Sequence, residues 1–244
     1  MGIDVCVGWD PREKDAYQAC VNSIRSASSI ELNIIPIVMG ELKEAGLYTR
    51  ETETRDGRLW DVISGAPMAT EFAVSRFFAP LLAEKHHSKS QWVLFCDCDF
   101  LWTGDVADLV QELSTDKALF CVHHNYAPSE TTKMDGQAQL LYSRKNWSSM
   151  MVFNRFHPAN KKLTLELLNS VPGRDLHRFC WLEDDEIGSV SSDWNWLEGH
   201  SPKTDRLPRA IHYTRGGPWM EGWEHVDYAK EWLESFESAS TYGE

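Results

Sequence analysis

Five apolar residues, Trp92-Val93-Leu94-Phe95-Cys96, run without a polar break into Asp97-Cys98-Asp99. A run this short and this apolar suits a strand covered on both faces, and therefore a sheet layered between helices. The two carboxylates stand two residues apart on extended chain, so they point to the same side and can meet at one cation. Their oxygens suit hard ions such as Mg²⁺ or Mn²⁺. In open parallel sheets, ligands collect outside the carboxyl ends of the strands, which is where this pair falls. The spacing by itself selects little. The 37 acidic residues also produce Glu51/Glu53, Glu183/Asp185 and Asp184/Glu186, and Asp97/Asp99 can be read as a polar turn closing the strand. The buried strand before the pair sets it apart.

The flanking pattern extends the sheet. Residues 3–9 form a short strand ending at Asp10-Pro11, and residues 13–27 carry Ala16, Ala19, Cys20 and Ile24 on one helical face. Residues 32–39 read as a second strand, with Pro36 placing it at an edge or bulge. Residues 48–65 are polar and charged, with Asp56-Gly57 as a turn signal, and read as a surface loop. A helix is expected from Pro67 to about Pro80. Beyond Asp99 the sequence predicts helices near 105–113 and 159–171 and strands near 118–122 and 150–153. Residues 228–238 read as an acidic amphipathic helix whose Trp232, Leu233 and Phe236 dock on the body. Strands alternating with helices imply a largely parallel sheet flanked by helices.

Composition narrows the function. A chain of 244 residues, 42% hydrophobic and 25% charged, can bury one large α/β core. Its net charge of −13 repels nucleic acid and anionic membranes, which lowers both as partners. No apolar stretch approaches a membrane span and no signal peptide is expected. The six cysteines follow no metal or disulfide spacing, and Cys96 and Cys98 read as small core residues in a reducing cytosol, so the expected location is cytoplasmic.

Six segments in order carry a family resemblance. They are Gly8-Trp9-Asp10, residues 75–82 around Arg76, residues 93–99, residues 150–154 ending in Asn154, Glu183-Asp184-Asp185-Glu186, and residues 211–219 from Ile211-His212 to Pro218-Trp219. Together they resemble the retaining GT-A glycosyltransferases of family eight, the group of glycogenin and the lipopolysaccharide galactosyltransferases. The resemblance covers roughly residues 3–219. It implies a GT-A fold, a Rossmann-like nucleotide-sugar-binding architecture with a central mostly parallel sheet between helices. As one domain over 1–244, it divides into a nucleotide-sugar-binding half (about 1–104), an acceptor-side half (about 105–222) and a helical tail (223–244).

The same resemblance implies a function and a site. A sugar would pass from a nucleotide sugar, a UDP-sugar by the family pattern, to a carbohydrate or other hydroxyl-bearing acceptor, with retention at the anomeric carbon. His212, which alone reads more readily as a structural or exposed histidine, would join Asp97 and Asp99 on Mn²⁺ or Mg²⁺. Trp9, Asp10, Arg12, Arg76 and Cys98 would lie along the donor, with Arg76 reading otherwise as a simple salt bridge. Arg215 with the amides of Gly216 and Gly217 would cradle the diphosphate, since glycine lets backbone approach closely. Asp184 or Asp185 would position donor or acceptor hydroxyls, which together with Arg76 makes the expected catalytic set. The chain departs from the pattern in the late loop, which is one residue short and has Gly217 where the family has lysine. It departs again at Pro11-Arg12, where the family has asparagine and tyrosine.

The late tryptophans Trp194, Trp196, Trp219 and Trp223 are candidates for sugar platforms or core filling. The segments Lys133-Met134-Asp135-Gly136-Gln137 and Arg144-Lys145-Asn146-Trp147 read equally as site loops or ordinary surface. Two rival functions fit parts of the pattern. A haloacid-dehalogenase-type phosphatase would use Asp97 as nucleophile, Asp99 as acid/base and Asp184-Asp185 on the metal. It is opposed by Leu101 and by the two strands that precede the motif. A non-catalytic nucleotide- or carbohydrate-binding module is the other rival.

Overall fold

In the computed structural model, residues 2–86, 88–124, 147–203 and 205–238 are described. β1 (Ile3–Gly8) is buried along its whole length. Its one charge, Asp4, is held inside by a 2.8 Å hydrogen bond from Asn33 Nδ2. A 3-10 turn, Pro11–Glu13, follows, with Pro11 at a position where its missing N–H costs nothing. α1 (Lys14–Ala27) presents Ala16, Ala19, Cys20 and Ile24 inward, small side chains that bring the helix close to the sheet. β2 (Leu32–Ile37) pairs in parallel with β1 and places Pro36 beside Val7. It is the edge strand, so proline removes no ladder hydrogen bond.

α2 (Met39–Glu44) leads into β3 (Thr52–Arg55), β4 (Arg58–Asp61) and β5 (Ala66–Pro67), an antiparallel three-stranded sheet. This corrects the surface loop expected over 48–65. Asp56 and Gly57 both take positive φ, 49° and 73°, the backbone of a two-residue hairpin turn. The strands escape a hydrophobicity reading because Glu53, Thr54 and Arg55 all face solvent. The hairpin is pinned by the buried pair Arg50–Asp61, at 2.5 Å. Arg50 Nη1 also donates to the carbonyls of Leu168 and Val171.

The helix expected from Pro67 is also corrected. Pro67 belongs to β5, and helix begins only at α3 (Phe72–Ser75), tightens to a 3-10 turn at Arg76–Phe78 and resumes as α4 (Ala79–Lys85). β6 (Trp92–Cys96) follows, then β7 (Phe100–Trp102), α5 (Val106–Gln111) capped by Asp105, β8 (Leu119–Cys121) and β9 (Met150–Asn154). The helix expected over 159–171 is interrupted. A 3-10 turn occupies Pro158–Lys162, and α6 (Leu165–Ser170) starts afresh where the Thr164 hydroxyl accepts from Leu167 N–H. Then come α7 (Gly173–His177), β10 (Ile187–Ser189), β11 (Trp196–Leu197), β12 (Ala210–His212) and α8 (Ala229–Glu237).

The main sheet has the order β10-β8-β9-β6-β1-β2. Only β9 opposes its neighbours; the rest run parallel. A second sheet, β11-β12-β7, grows from the chain immediately after Asp99. Trp232 of α8 is buried beside Ala19 of α1, and Asn22 Nδ2 donates to the Ser235 carbonyl at 3.0 Å. Leu233, expected to dock with Trp232, instead stays 44% exposed. Among the described residues, no helix is long and apolar enough to cross a membrane.

Candidate active site

β6 delivers Asp97 at its carboxyl end, and β7 starts one residue after Asp99, so the acidic pair occupies the seam between the two sheets. β12 closes the seam from the other side. His212 pairs with Phe100 in the antiparallel register, and Tyr213 N–H donates to the Asp99 carbonyl at 3.0 Å. One ligand atom from each of Asp97, Asp99 and His212 therefore lies within 4.8 Å of the others.

The cluster is built to receive a cation. Asp99 Oδ1 is buried and accepts no hydrogen bond, an arrangement that normally costs a carboxylate dearly. His212 Nε2 stands 3.3 Å from Asp99 Oδ1. Its other nitrogen, Nδ1, is 3.0 Å from Asn195 Oδ1, and Asn195 Nδ2 donates to Ser149 Oγ at 2.9 Å. With its amide held that way, Asn195 can only accept from Nδ1–H, which leaves the Nε2 lone pair facing the carboxylates. The ring also stacks on Phe100 at 4.4 Å. Three ligands of hard and borderline type, an orphaned oxygen on Asp99 and a preset tautomer fit a divalent ion such as Mn²⁺ or Mg²⁺.

Arg76 is the cation beside the cluster. Its Nη1 lies 2.8 Å from Asp97 Oδ1 and donates to the Ser148 carbonyl at 2.9 Å. Nε donates to Ala73 O. Burial, reinforced by Asp99, lifts the Asp97 carboxyl to about 7 even though Arg76 and His212 pull the other way.

These groups floor a cleft of about 740 Å³. Its walls come from residues 64–70, which follow the β3–β4 hairpin, and from Gly173, Arg174 and His177 of α7, with Ser148, Ser149 and Thr214 between them. Glu13 also reaches it, its carboxyl raised by burial and by Asp99.

The other expected residues distribute unevenly. Cys98 is fully buried and turns its thiol to Glu13 Oε2 at 3.3 Å, with burial and the adjacent carboxylates raising its pKa. Only its backbone could meet a ligand. Trp9 packs edge-on against Tyr17 at 4.9 Å. Asp10 is wholly buried, its carboxylate accepting from Arg12 N, Nε and Nη2 and from Glu71 N. It anchors Arg12 and the start of α3 and does not line the cleft.

Two sets of expected residues lie away from the cleft. Asp184 and Asp185 immediately precede β10, whose Ile187 pairs with Leu119, itself opposite Phe153, which faces Val93 near the start of β6. Asp97 follows the far end of β6, so the two aspartates are exposed at the opposite end of the sheet. Arg215, expected on the diphosphate, is bound to Glu198 at 2.8 Å and lies over Trp223, away from the cleft. Gly216 and Gly217 are likewise absent from its lining. Gly217 instead accommodates the Trp219 ring, which a Cβ there would meet at 2.0 Å.

Trp194 and Trp196 are buried, which removes them as sugar platforms. Residues 133–137 and 144–146 lie outside the described residues. Trp147 stacks on His123 at 3.9 Å. Sequence reasoning missed Glu13, Ser148, His177 and Asn195. The polar pair Ser148-Ser149 just before an apolar strand was the one signal that could have pointed to them.

No family model matches the chain. Protein CDI of Arabidopsis thaliana is 45% identical over 237 residues, spanning 96% of this chain and 85% of that protein.

The chain belongs to the family of Protein CDI.

Solved structures add the fold. The chain superposes on the bifunctional glycosyltransferase WbbM with a TM-score of 0.61 at 15% identity, covering 96% of this chain and 49% of that one. The apo glycosyltransferase GlyE of Streptococcus pneumoniae gives 0.60 at 15%, covering 97% and 60%. The galactosyltransferase LgtC, solved with donor and acceptor sugar analogues, gives 0.58 at 16%, covering 96% and 95%. The chain thus spans about half of WbbM and three-fifths of GlyE, and it has the GT-A fold.

Proposed function

We propose that this chain is a metal-dependent glycosyltransferase of the family-eight type, moving a sugar from a UDP-sugar to a hydroxyl-bearing acceptor with retention. The observation that carries the reading is the convergence of Asp97, Asp99 and His212, with Asp99 Oδ1 buried without a hydrogen bond, on the floor of a cleft. Those three residues would hold Mn²⁺ or Mg²⁺, which when bound supplies Lewis-acid stabilisation to the departing diphosphate.

The chain's own residues perform the remaining work. Asn195 fixes the His212 tautomer so that Nε2 keeps its lone pair for binding. Arg76 holds Asp97 in place and adds positive potential beside the diphosphate site. Residues 64–70 and α7 wall the donor from water. The single domain over 1–244, with its nucleotide half, acceptor half and docked tail, acts as one catalytic unit. Six free cysteines support work in the reducing cytoplasm.

The phosphatase alternative loses support because its second acidic pair, Asp184-Asp185, is remote from Asp97. Calorimetry with UDP, with and without Mn²⁺, tests the reading, followed by assay of UDP-sugar hydrolysis. Binding of UDP that ignores the metal, or rapid turnover of p-nitrophenyl phosphate, overturns it. Metal-dependent binding with no turnover of any UDP-sugar leaves a non-catalytic binding module.

A further inference from the structure

At the amino ends of β1 and β2, away from the cleft, a buried carboxylate oxygen has no partner. Asp4 is 3% exposed, and its Oδ1 accepts from Asn33 Nδ2 at 2.8 Å. Its Oδ2 is buried and accepts no hydrogen bond, a costly state for a carboxylate inside a protein. Asp4 lines a cavity of about 230 Å³ together with Glu31, Asn33, Ser88 and Ser90.

The strand register gathers these groups on one face of the sheet. Asp4 stands opposite Asn33 in the parallel β1–β2 pair. Glu31 enters the same ladder, its carbonyl accepting from Ile3 N–H at 3.1 Å. A Cβ built on Gly2, two residues before Asp4, would lie 3.6 Å from Glu31 Cβ. Because residues two apart on extended chain point to one side, Glu31 shares the face of Asp4. The chain between α4 and β6 brings Ser88 and Ser90 to the same cavity.

What the cavity offers is mostly lone pairs. Asn33 spends its amide nitrogen on Asp4, which leaves Oδ1 as its acceptor. Ser90 Oγ donates to the Trp92 carbonyl at 2.9 Å and keeps its own lone pairs. Among the described residues, the Glu31 carboxylate enters no hydrogen bond or ion pair. Arg155 reaches the same stretch of chain, but its Nη1 donates to the carbonyls of Ser88 and Ser90. It pairs with neither carboxylate.

We infer that this cavity is a second cation site, in which Asp4 Oδ2, Glu31, Asn33 Oδ1 and Ser90 Oγ hold a hard divalent ion, Mg²⁺ or Ca²⁺. Oxygen-only ligands select hard ions, and two carboxylates balance a double charge. The Asp97–Asp99–His212 cluster differs by its nitrogen ligand, which suits Mn²⁺ better. Val93, the partner of Asp4, lies four residues before Asp97, so the two sites stand about 13 Å apart along the sheet. The ion ties the edge strand β2 and the chain around Ser90 to β1, a structural role independent of nucleotide.

The test separates this site from the active site. In Asp99→Asn, whose active-site cluster lacks one anionic ligand, calorimetry with Mg²⁺ and with Ca²⁺ is expected to find a single ion per chain. The ion that binds more tightly names the occupant, and the same ion should raise the melting temperature. Adding Asp4→Asn should abolish both effects. Adding Glu31→Gln, at an exposed position, should weaken binding about tenfold. Asp4→Asn alone should bind UDP with Mn²⁺ as the wild type does.

If Asp99→Asn takes up neither ion at millimolar concentration, the inference is overturned. It is equally overturned if adding Asp4→Asn leaves ion binding and the melting temperature unchanged. Should Asp4→Asn not fold, Glu31→Gln and Asn33→Ala replace it, and undiminished binding in both overturns the inference.

Discussion

His212 reaches Asp99 because β12 pairs antiparallel with β7, the strand that Asp99 immediately precedes. Pairing of His212 with Phe100 brings the imidazole over the end of β7, with Nε2 3.3 Å from Asp99 Oδ1. More than a hundred residues separate them in sequence. A one-residue slip of β12 would turn the ring to the opposite face of the sheet. The register of the small sheet is therefore a requirement of the site, and the burial of Leu101, Ile211 and Tyr213 in one apolar cluster holds it.

Replacing Asp99 with asparagine should leave the fold intact, because it removes a carboxylate with a buried unpaired oxygen beside Asp97. The apo melting temperature is expected to hold or rise. The stabilisation by Mn²⁺ and UDP, about 2.7 kcal/mol at a hundredfold the dissociation constant, should vanish, since a neutral amide replaces an anionic ligand poorly. Thermal shift with and without metal reads both effects. An unchanged metal-dependent shift would move the clamp elsewhere.

What could be read from the sequence follows from how local each signal is. Asp97 and Asp99 are legible because a buried strand and its terminal carboxylates are contiguous. The edge position of β2 is legible from Pro36, and the cap of α5 from Asp105 followed by an apolar run. The β3–β4 hairpin is not, because its strands expose polar side chains on a sheet too small to impose alternation. Asp184 and Asp185 mislead because their acidity is visible while their end of the sheet depends on β9 running against its neighbours. Ser148, His177 and Asn195 act through contacts 17 to 29 residues apart, and no spacing rule encodes those.

Asn195 should matter to the metal through His212. It does not belong to the metal cluster, yet it determines which nitrogen of His212 carries the proton. Asn195→Ala is expected to weaken Mn²⁺ binding about 10–100-fold and to lower the apo melting temperature, because buried Ser149 and His212 both lose a partner. Asn195→Asp, which keeps the acceptor, should retain more of the affinity. Manganese titration followed by paramagnetic resonance separates the two variants without recourse to activity.

Three buried groups should give the apo protein opposing pH responses. His177 is lowered to about 3 and His124 to about 4, chiefly by burial. Below the ordinary histidine value, about 6.5, the unfolded chain binds protons that the folded chain refuses, so stability falls as pH falls, by up to about 1.4 kcal/mol per unit for each group. Asp97 acts the other way. Its carboxyl is raised to about 7, so between about pH 4 and 7 the folded chain keeps a proton that the unfolded chain has lost, and stability falls as pH rises. The melting temperature of His177→Asn relative to wild type should therefore improve as pH drops from about 6.5 to 4.5. That of Asp97→Asn should improve as pH climbs from about 4 to 7. Differences that stay flat with pH would show that neither group titrates as its burial requires.

Arg215 should prove a structural residue, contrary to its expected place on the diphosphate. Its guanidinium is held by Glu198, whose side chain is only 4% exposed, and by the face of Trp223. Gly199 leaves the room for it, since a Cβ at that position would meet Arg215 Nη2 at 1.8 Å. Arg215→Ala strands a buried carboxylate, at a cost of about 1–3 kcal/mol in folding stability. Affinity for UDP with Mn²⁺ should stay within about twofold of wild type, because the side chain does not line the cleft. Adding Glu198→Gln should restore part of the stability by neutralising the stranded group. Denaturant unfolding and calorimetry on the single and double variants check the two halves separately. Selective loss of diphosphate binding, with stability unchanged, would return Arg215 to the ligand.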